Sequence, residues 1–183
     1  MTGAAPQDAA ADSGKSLPER FCDLIDRVNE WAGLFWGFTI VAVTLAVLYE
    51  VVARGVFEAP TQWGNETTIY LSAMAYLMAG GYALLHRRHV RIDVIYESLS
   101  VRTRARLDAF TFVFFLAYVL TLVWVGGNDA WNSFQIGETT GTPWNPPIWP
   151  VKMAIPAAGL LLLLQGIANL MRDLGWVRSG AAQ

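Results

Sequence analysis

The chain is short of charge: Asp, Glu, Lys and Arg make up 15% of its 183 residues, against about 25% in an ordinary soluble domain. With 54% hydrophobic residues, that scarcity excludes a soluble globule. Cysteine is almost absent, and the lone Cys22 excludes an internal disulfide. Histidine is nearly as scarce. His86 and His89 share one basic loop with no cysteine or carboxylate at ligand spacing, which argues against a metal or haem centre and predicts no cofactor. The first dozen residues lack a basic segment leading into an apolar core. A cleavable signal peptide is therefore not expected, and the first apolar segment should act as an uncleaved insertion signal.

What the charges leave empty is the main signal. Four windows carry no Asp, Glu, Lys, Arg or His: Trp31 to Tyr49, Thr67 to Leu85, Ala109 to Asn128 and Met153 to Met171. At 1.5 Å per residue, nineteen helical residues cover about 28 Å, close to the ~30 Å hydrocarbon thickness of a bilayer. These windows predict an all-α integral membrane protein with four transmembrane helices, at about 32–57, 66–85, 105–129 and 151–171. Residues 18–174 form the single membrane domain, 1–17 a disordered tail and 175–183 a second tail. The spans use most of the chain, so no separate catalytic domain is expected and the protein is not predicted to be an enzyme.

The basic residues are sorted by side. Eleven of thirteen precede span one, lie between spans two and three or follow span four. Arg54 ends span one, and Lys152 alone falls clearly on the other side. The rule that short loops rich in Lys and Arg stay inside predicts both termini in the cytoplasm, with Arg87, Arg88 and Arg91 setting the topology. Before span one, Phe21, Leu24, Ile25, Val28 and Trp31 recur at three- and four-residue spacing among charged neighbours. That periodicity predicts an N-terminal amphipathic helix in the cytoplasmic interface.

Several residues stand out as candidate contacts. Glu50 and Arg54 are four apart, on one face with Ala42 and Ala46, and can pair within span one. A proton or cation site at Glu50 is the functional alternative. The ion pair is preferred because Arg54 already supplies the compensating charge. Trp63 suits the interfacial aromatic belt, Asn65 is placed to cap span two, and Glu66 falls in its first turn where the helix dipole favours an anion. Asn65-Glu66-Thr67 also fits a glycosylation sequon, but the cap is favoured.

Ala75, Ala79 and Ala83, with Gly80 and Gly81 beside them, form a small-residue face that allows close helix approach. Ala154, Ala158 and Gly159 do the same in span four. Ile92 to Leu99 reads as a short surface helix and Ser100 as the cap of the next. Span three is crowded with aromatics such as Phe114 and Trp124 and should face lipid over much of its surface. The loop from Asp129 to Lys152 carries Trp131, Trp144 and Trp149, an outer aromatic belt. With only Glu138 and Lys152 to offer, it is a poor site for a sugar or organic acid.

The order of motifs resembles the small membrane subunit of tripartite ATP-independent periplasmic (TRAP) transporters, the DctQ-like family. Glu50-x-x-x-Arg54 ends span one, Trp63-x-x-Glu66 opens span two, and His89-Val90-Arg91-Ile92-Asp93 follows it. Pro147-x-Trp149-Pro150-x-Lys152 then leads into Ile155-Pro156. The resemblance, from about Phe21 to Leu174, implies a bacterial inner-membrane transport complex. In it a large membrane subunit carries substrate and sodium sites, and a periplasmic binding protein delivers an organic acid. This chain would be the non-catalytic scaffold packed against the large subunit in the lipid bilayer, without nucleic acid, stabilised at that contact by Glu50, Arg54, Trp63 and Glu66. The alternatives are a small cytochrome-b-like redox subunit, which needs axial ligands inside the spans, and a self-contained oligomeric channel or carrier.

Overall fold

The computed structural model describes residues 16–86 and 101–173. Arg87, Arg88, Arg91, His89, the expected surface helix at Ile92 to Leu99, Ser100 as a cap and both expected tails beyond Ser16 lie outside the described residues. Among those described, four helices are long and apolar enough to cross a membrane. They are α1 (Leu17–Gly55), α2 (Gly64–Leu85), α3 (Val101–Ile136) and α4 (Trp149–Asp173). The chain runs up, down, up and down, so Ser16, His86, Val101 and Asp173 share one end, here the terminal end. The α1–α2 and α3–α4 connections share the other, the loop end.

Helix α1 begins with Pro18 in its first turn and with Glu19 accepting a hydrogen bond from the Ser16 N–H at 2.8 Å, a reciprocal arrangement that satisfies an otherwise orphan donor. From there it continues for 39 residues without a break, about 58 Å. The amphipathic stretch expected to lie in the interface is thus helical but collinear with the first span. No proline or glycine pair interrupts Phe21 to Trp31 to turn the chain, and its apolar residues divide between two faces. Cys22 and Ile25 are buried with Ala168 of α4, flanked by Leu164 and Met171. Phe21, Leu24, Val28 and Trp31 remain exposed.

Packing is by hairpins. Helix α2 lies along α1 and α3 along α4, while α4 also packs on α2 and, near the terminal end, on α1. Glycine makes the close approaches possible. A Cβ at Gly33 would enter the Tyr82 ring, and one at Gly81 would strike Asn29. On the α3–α4 seam a Cβ at Gly126 would come within 2.8 Å of Ile155, at Gly159 within 2.9 Å of Val123, and at Gly166 within 2.5 Å of Phe115. Three bulky side chains therefore seat on three bare backbone positions, the small-residue packing that helices use where lipid removes the hydrophobic drive. Ala154, Ala158 and Gly159 of α4 are buried, while Phe114 and Trp124 on α3 are 60% and 76% exposed.

The third helix extends past the expected limit near 129 to Ile136, because the polar run after Asn128 still bonds helically. It ends in a Schellman motif. Gly137 takes φ 62°, its N–H donates to Phe134 O at 3.2 Å, and the Glu138 N–H donates to Ser133 O at 3.0 Å. The loop from 137 to 148 folds on itself through an antiparallel bridge between Thr139 and Pro147. The Ile148 N–H donates to Glu138 O, and the Gly141 N–H to Asn145 Oδ1 at 2.9 Å.

Candidate functional site

The polar side chains of this apolar molecule collect at its two ends. At the loop end Glu50, in the last turns of α1, is 14% exposed and accepts from Arg54 Nη2 at 2.8 Å. Its second oxygen accepts from the Thr61 N–H at 3.2 Å and from the Thr61 hydroxyl. Thr61 in turn accepts from the Gly64 N–H at 3.1 Å, so it, not Asn65, satisfies a free donor at the start of α2. The expected Asn65 cap fails because the helix starts two residues earlier than expected, at Gly64, with Trp63 in the cap position. Glycine is required there by proximity, since a Cβ would lie 2.6 Å from Thr61 Oγ1 and 2.9 Å from a Glu50 oxygen.

Trp63 stacks on Tyr49 at a centroid distance of 6.0 Å, adding an aromatic clamp to the same hairpin. Beside the pair a shallow groove of about 210 Å³ opens between α1 and α2, with Arg54 on one wall and Asn65 and Thr68 on the other. Three of the four motif residues are thereby brought together. Glu66 is not with them: it faces the second loop and accepts a 3.4 Å hydrogen bond from Thr140.

That second loop is fastened by Lys152, whose ammonium lies 3.1 Å from Asp129 on α3 and 2.8 Å from Glu138. The Lys152 hydrogen bond holds the Glu138 carboxyl below the usual carboxylate range. Both polar residues that the sequence offered for a ligand are thus engaged with each other. Trp131 and Trp149 flank Phe134 at centroid distances of 5.8 and 5.4 Å, forming an aromatic cluster at the loop end.

The terminal end holds a network that the sequence reading missed. Asn29 and Gln165, 1% and 0% exposed, are joined by a 2.8 Å hydrogen bond across α1 and α4. Gln165 also donates to Asp26 at 3.0 Å and to Asn169 at 3.4 Å, and Asn169 donates to Leu84 O of α2 at 3.2 Å. Arg172 closes the network with two bonds to Asp26, at 3.1 and 2.5 Å. The fork of a guanidinium suits such bidentate pairing, and enclosure strengthens it. His86, rather than standing free for a metal, contacts Glu30 at 3.1 Å and rests its ring on Tyr82. Among the described residues no group of three His, Cys, Asp or Glu side chains could hold a metal ion.

The small face of α2 is used unevenly. Ala75 is buried, Ala83 half-buried and Ala79 exposed; a close helix approach goes through Gly81, which faces Asn29 and Leu161, while Gly80 is in ordinary contact with Leu162. The arrangement is one of ties at both ends and close seams between, with an apolar flank of α1 left open. Comparison with protein-family models matches residues 43–175 to the family described as Tripartite ATP-independent periplasmic transporters, DctQ component. No curated protein matches the chain.

Proposed function

The chain belongs to the DctQ component family of tripartite ATP-independent periplasmic transporters, and on that premise we propose that it is a non-catalytic scaffold for the large membrane subunit. In this reading the large subunit performs sodium-coupled uptake of an organic acid delivered by a periplasmic binding protein. The small chain holds it in the bacterial inner membrane, with both termini in the cytoplasm.

The observation that carries this reading is the disposition of polar groups. At one end Glu50, Arg54 and Thr61 fix the α1–α2 hairpin, and Lys152 fixes the α3–α4 hairpin. At the other, Asp26, Gln165 and Arg172 join α1 to α4. A membrane-embedded carrier exposes polar groups to a pathway near the bilayer midplane; here these groups are spent on ties at helix ends. A body stiffened in this way suits a fixed support.

Flux measurements separate this from a self-contained carrier. The purified chain in liposomes should move no organic acid down a sodium gradient, while the same chain with the large subunit and the binding protein should. Flux from the chain alone would overturn the reading. Arg54→Ala should reduce recovery of the two-subunit complex and uptake together, since it unpairs Glu50 at the loop end of α1, which this reading makes part of the subunit contact. Unchanged copurification and uptake would remove that pair from the contact.

A further inference from the structure

Helix α1 carries an apolar stripe that no other described residue covers. It starts at Leu17 and advances in alternating steps of four and three residues through Trp31 and Phe38 to Val52, exposed at every position. Within the hydrocarbon such spacing says little, because most side chains of the helix are apolar there. Between Leu17 and Trp31 it says more. Glu19, Arg20, Asp23, Asp26, Arg27 and Glu30 isolate the stripe there, and over these two heptads a 3.5-residue apolar period is the pattern of a helix that pairs with another helix.

Lipid cannot cover all of it. Even at a steep tilt of about 40°, a helix about 58 Å long spans roughly 44 Å, well beyond the ~30 Å of hydrocarbon. The first turns, with Leu17 at 83% and Leu24 at 59% exposure, therefore stand among or beyond the headgroups. A helix laid along the full stripe, about 10 Å wide, would cover roughly 600 Å² of this chain, approaching the ~800 Å² per partner of a stable interface.

The stripe also selects its occupant. It is bulky, with Phe21, Trp31, Phe35 and Phe38 exposed, and bulky ridges in membranes seat against small residues, as Phe115 does on Gly166.

We propose that this stripe is the seam for one long helix of the large membrane subunit. That helix presents small side chains at matching spacing and continues past the membrane on the side of the termini. The inference rests on the scaffold reading and specifies its surface.

The test uses the full chain coexpressed with the large subunit. The photo-crosslinker p-benzoylphenylalanine is placed singly at Phe21, Phe38 or Leu45, and for comparison at exposed Phe114 and Trp124 on α3. Copurification through a tag on this chain reports assembly in each case. Crosslinks to the large subunit from the three α1 positions, several-fold above those from α3, are expected. Assembly with crosslinks from α3 alone, with none from α1, or with α1 linked to a second copy would overturn the seam and leave the scaffold reading standing. Failure of the unsubstituted chains to copurify would overturn the reading, and the seam with it.

Discussion

Two kinds of residue decide this molecule: glycines that admit a neighbour and charges that meet a partner. Gly33 and Gly37 lie one helical turn apart on α1, yet a Cβ at the first would enter the Tyr82 ring while a Cβ at the second meets nothing within 4 Å. Overpacking of a close seam costs about 1–3 kcal/mol, whereas replacing an open helical glycine gains up to ~1 kcal/mol. Thermal unfolding in detergent should therefore show Gly33→Ala destabilised and Gly37→Ala unchanged or slightly stabilised; equal effects would mean that α2 does not approach α1 at Tyr82. Glu138 gives a pH signature. Its carboxyl is held below its ordinary value by Lys152, so the folded state binds that proton less readily than the unfolded one. The resulting stability is present above the unfolded value of about 4.3 and is lost as pH falls through the lower folded value. Unfolding followed from pH 6 downward should show the midpoint falling on the acid side, and Glu138→Gln should flatten that part of the curve.

At the scale of the helix, the terminal-end network explains why α1 stays attached to α4 beyond the span. Asp26 and Arg172 are 30% and 14% exposed, and a bidentate pair so enclosed should show a coupling of roughly 1–2 kcal/mol in a double-mutant cycle with Ala. Arg172→Ala should also raise amide exchange in residues 17–31 while leaving 34–55 unchanged; uniform exchange across α1 would mean the network does not hold the extension. The four helices were legible in the sequence because uncharged windows of bilayer length are hard to produce any other way. The ends of those helices were not. Asp26 reads in the sequence as one of the charged neighbours of an amphipathic helix and Asn29 carries no signal there, although their spacing from Cys22 and Ile25 places all four toward α4. Gln165 was hidden for the opposite reason, a single amide in a leucine-rich run having no period to betray it. Glu50 and Arg54 were legible as a pair because i, i+4 geometry is local; their tie to Thr61, eleven residues on, depends on how the loop closes. Gly81, beside the alanine stripe, makes a close approach of α2 to Asn29, since side-chain size alone does not say which way a helix is turned.

For the whole molecule, the remaining question is which end faces which compartment, and charge answers it more directly than shape. Residues 16, 86, 101 and 173 meet at one end, and the sequence places eleven basic residues on that side. The loop end has Arg54 and Lys152 with Glu50, Glu58, Glu66, Asp129 and Glu138. An excess of Lys and Arg in short segments resists translocation, while acidic residues contribute little to orientation. The terminal end should therefore stay in the cytoplasm. Cys22 is buried, so a Cys22→Ser background leaves a clean slate for single labels. In intact cells a membrane-impermeant maleimide should modify Thr142→Cys, in the exposed turn of the α3–α4 loop, and should reach Ser16→Cys only after the membrane is opened. Labelling in the reverse order would invert the molecule, and with it the compartment in which the exposed start of α1 meets its partner.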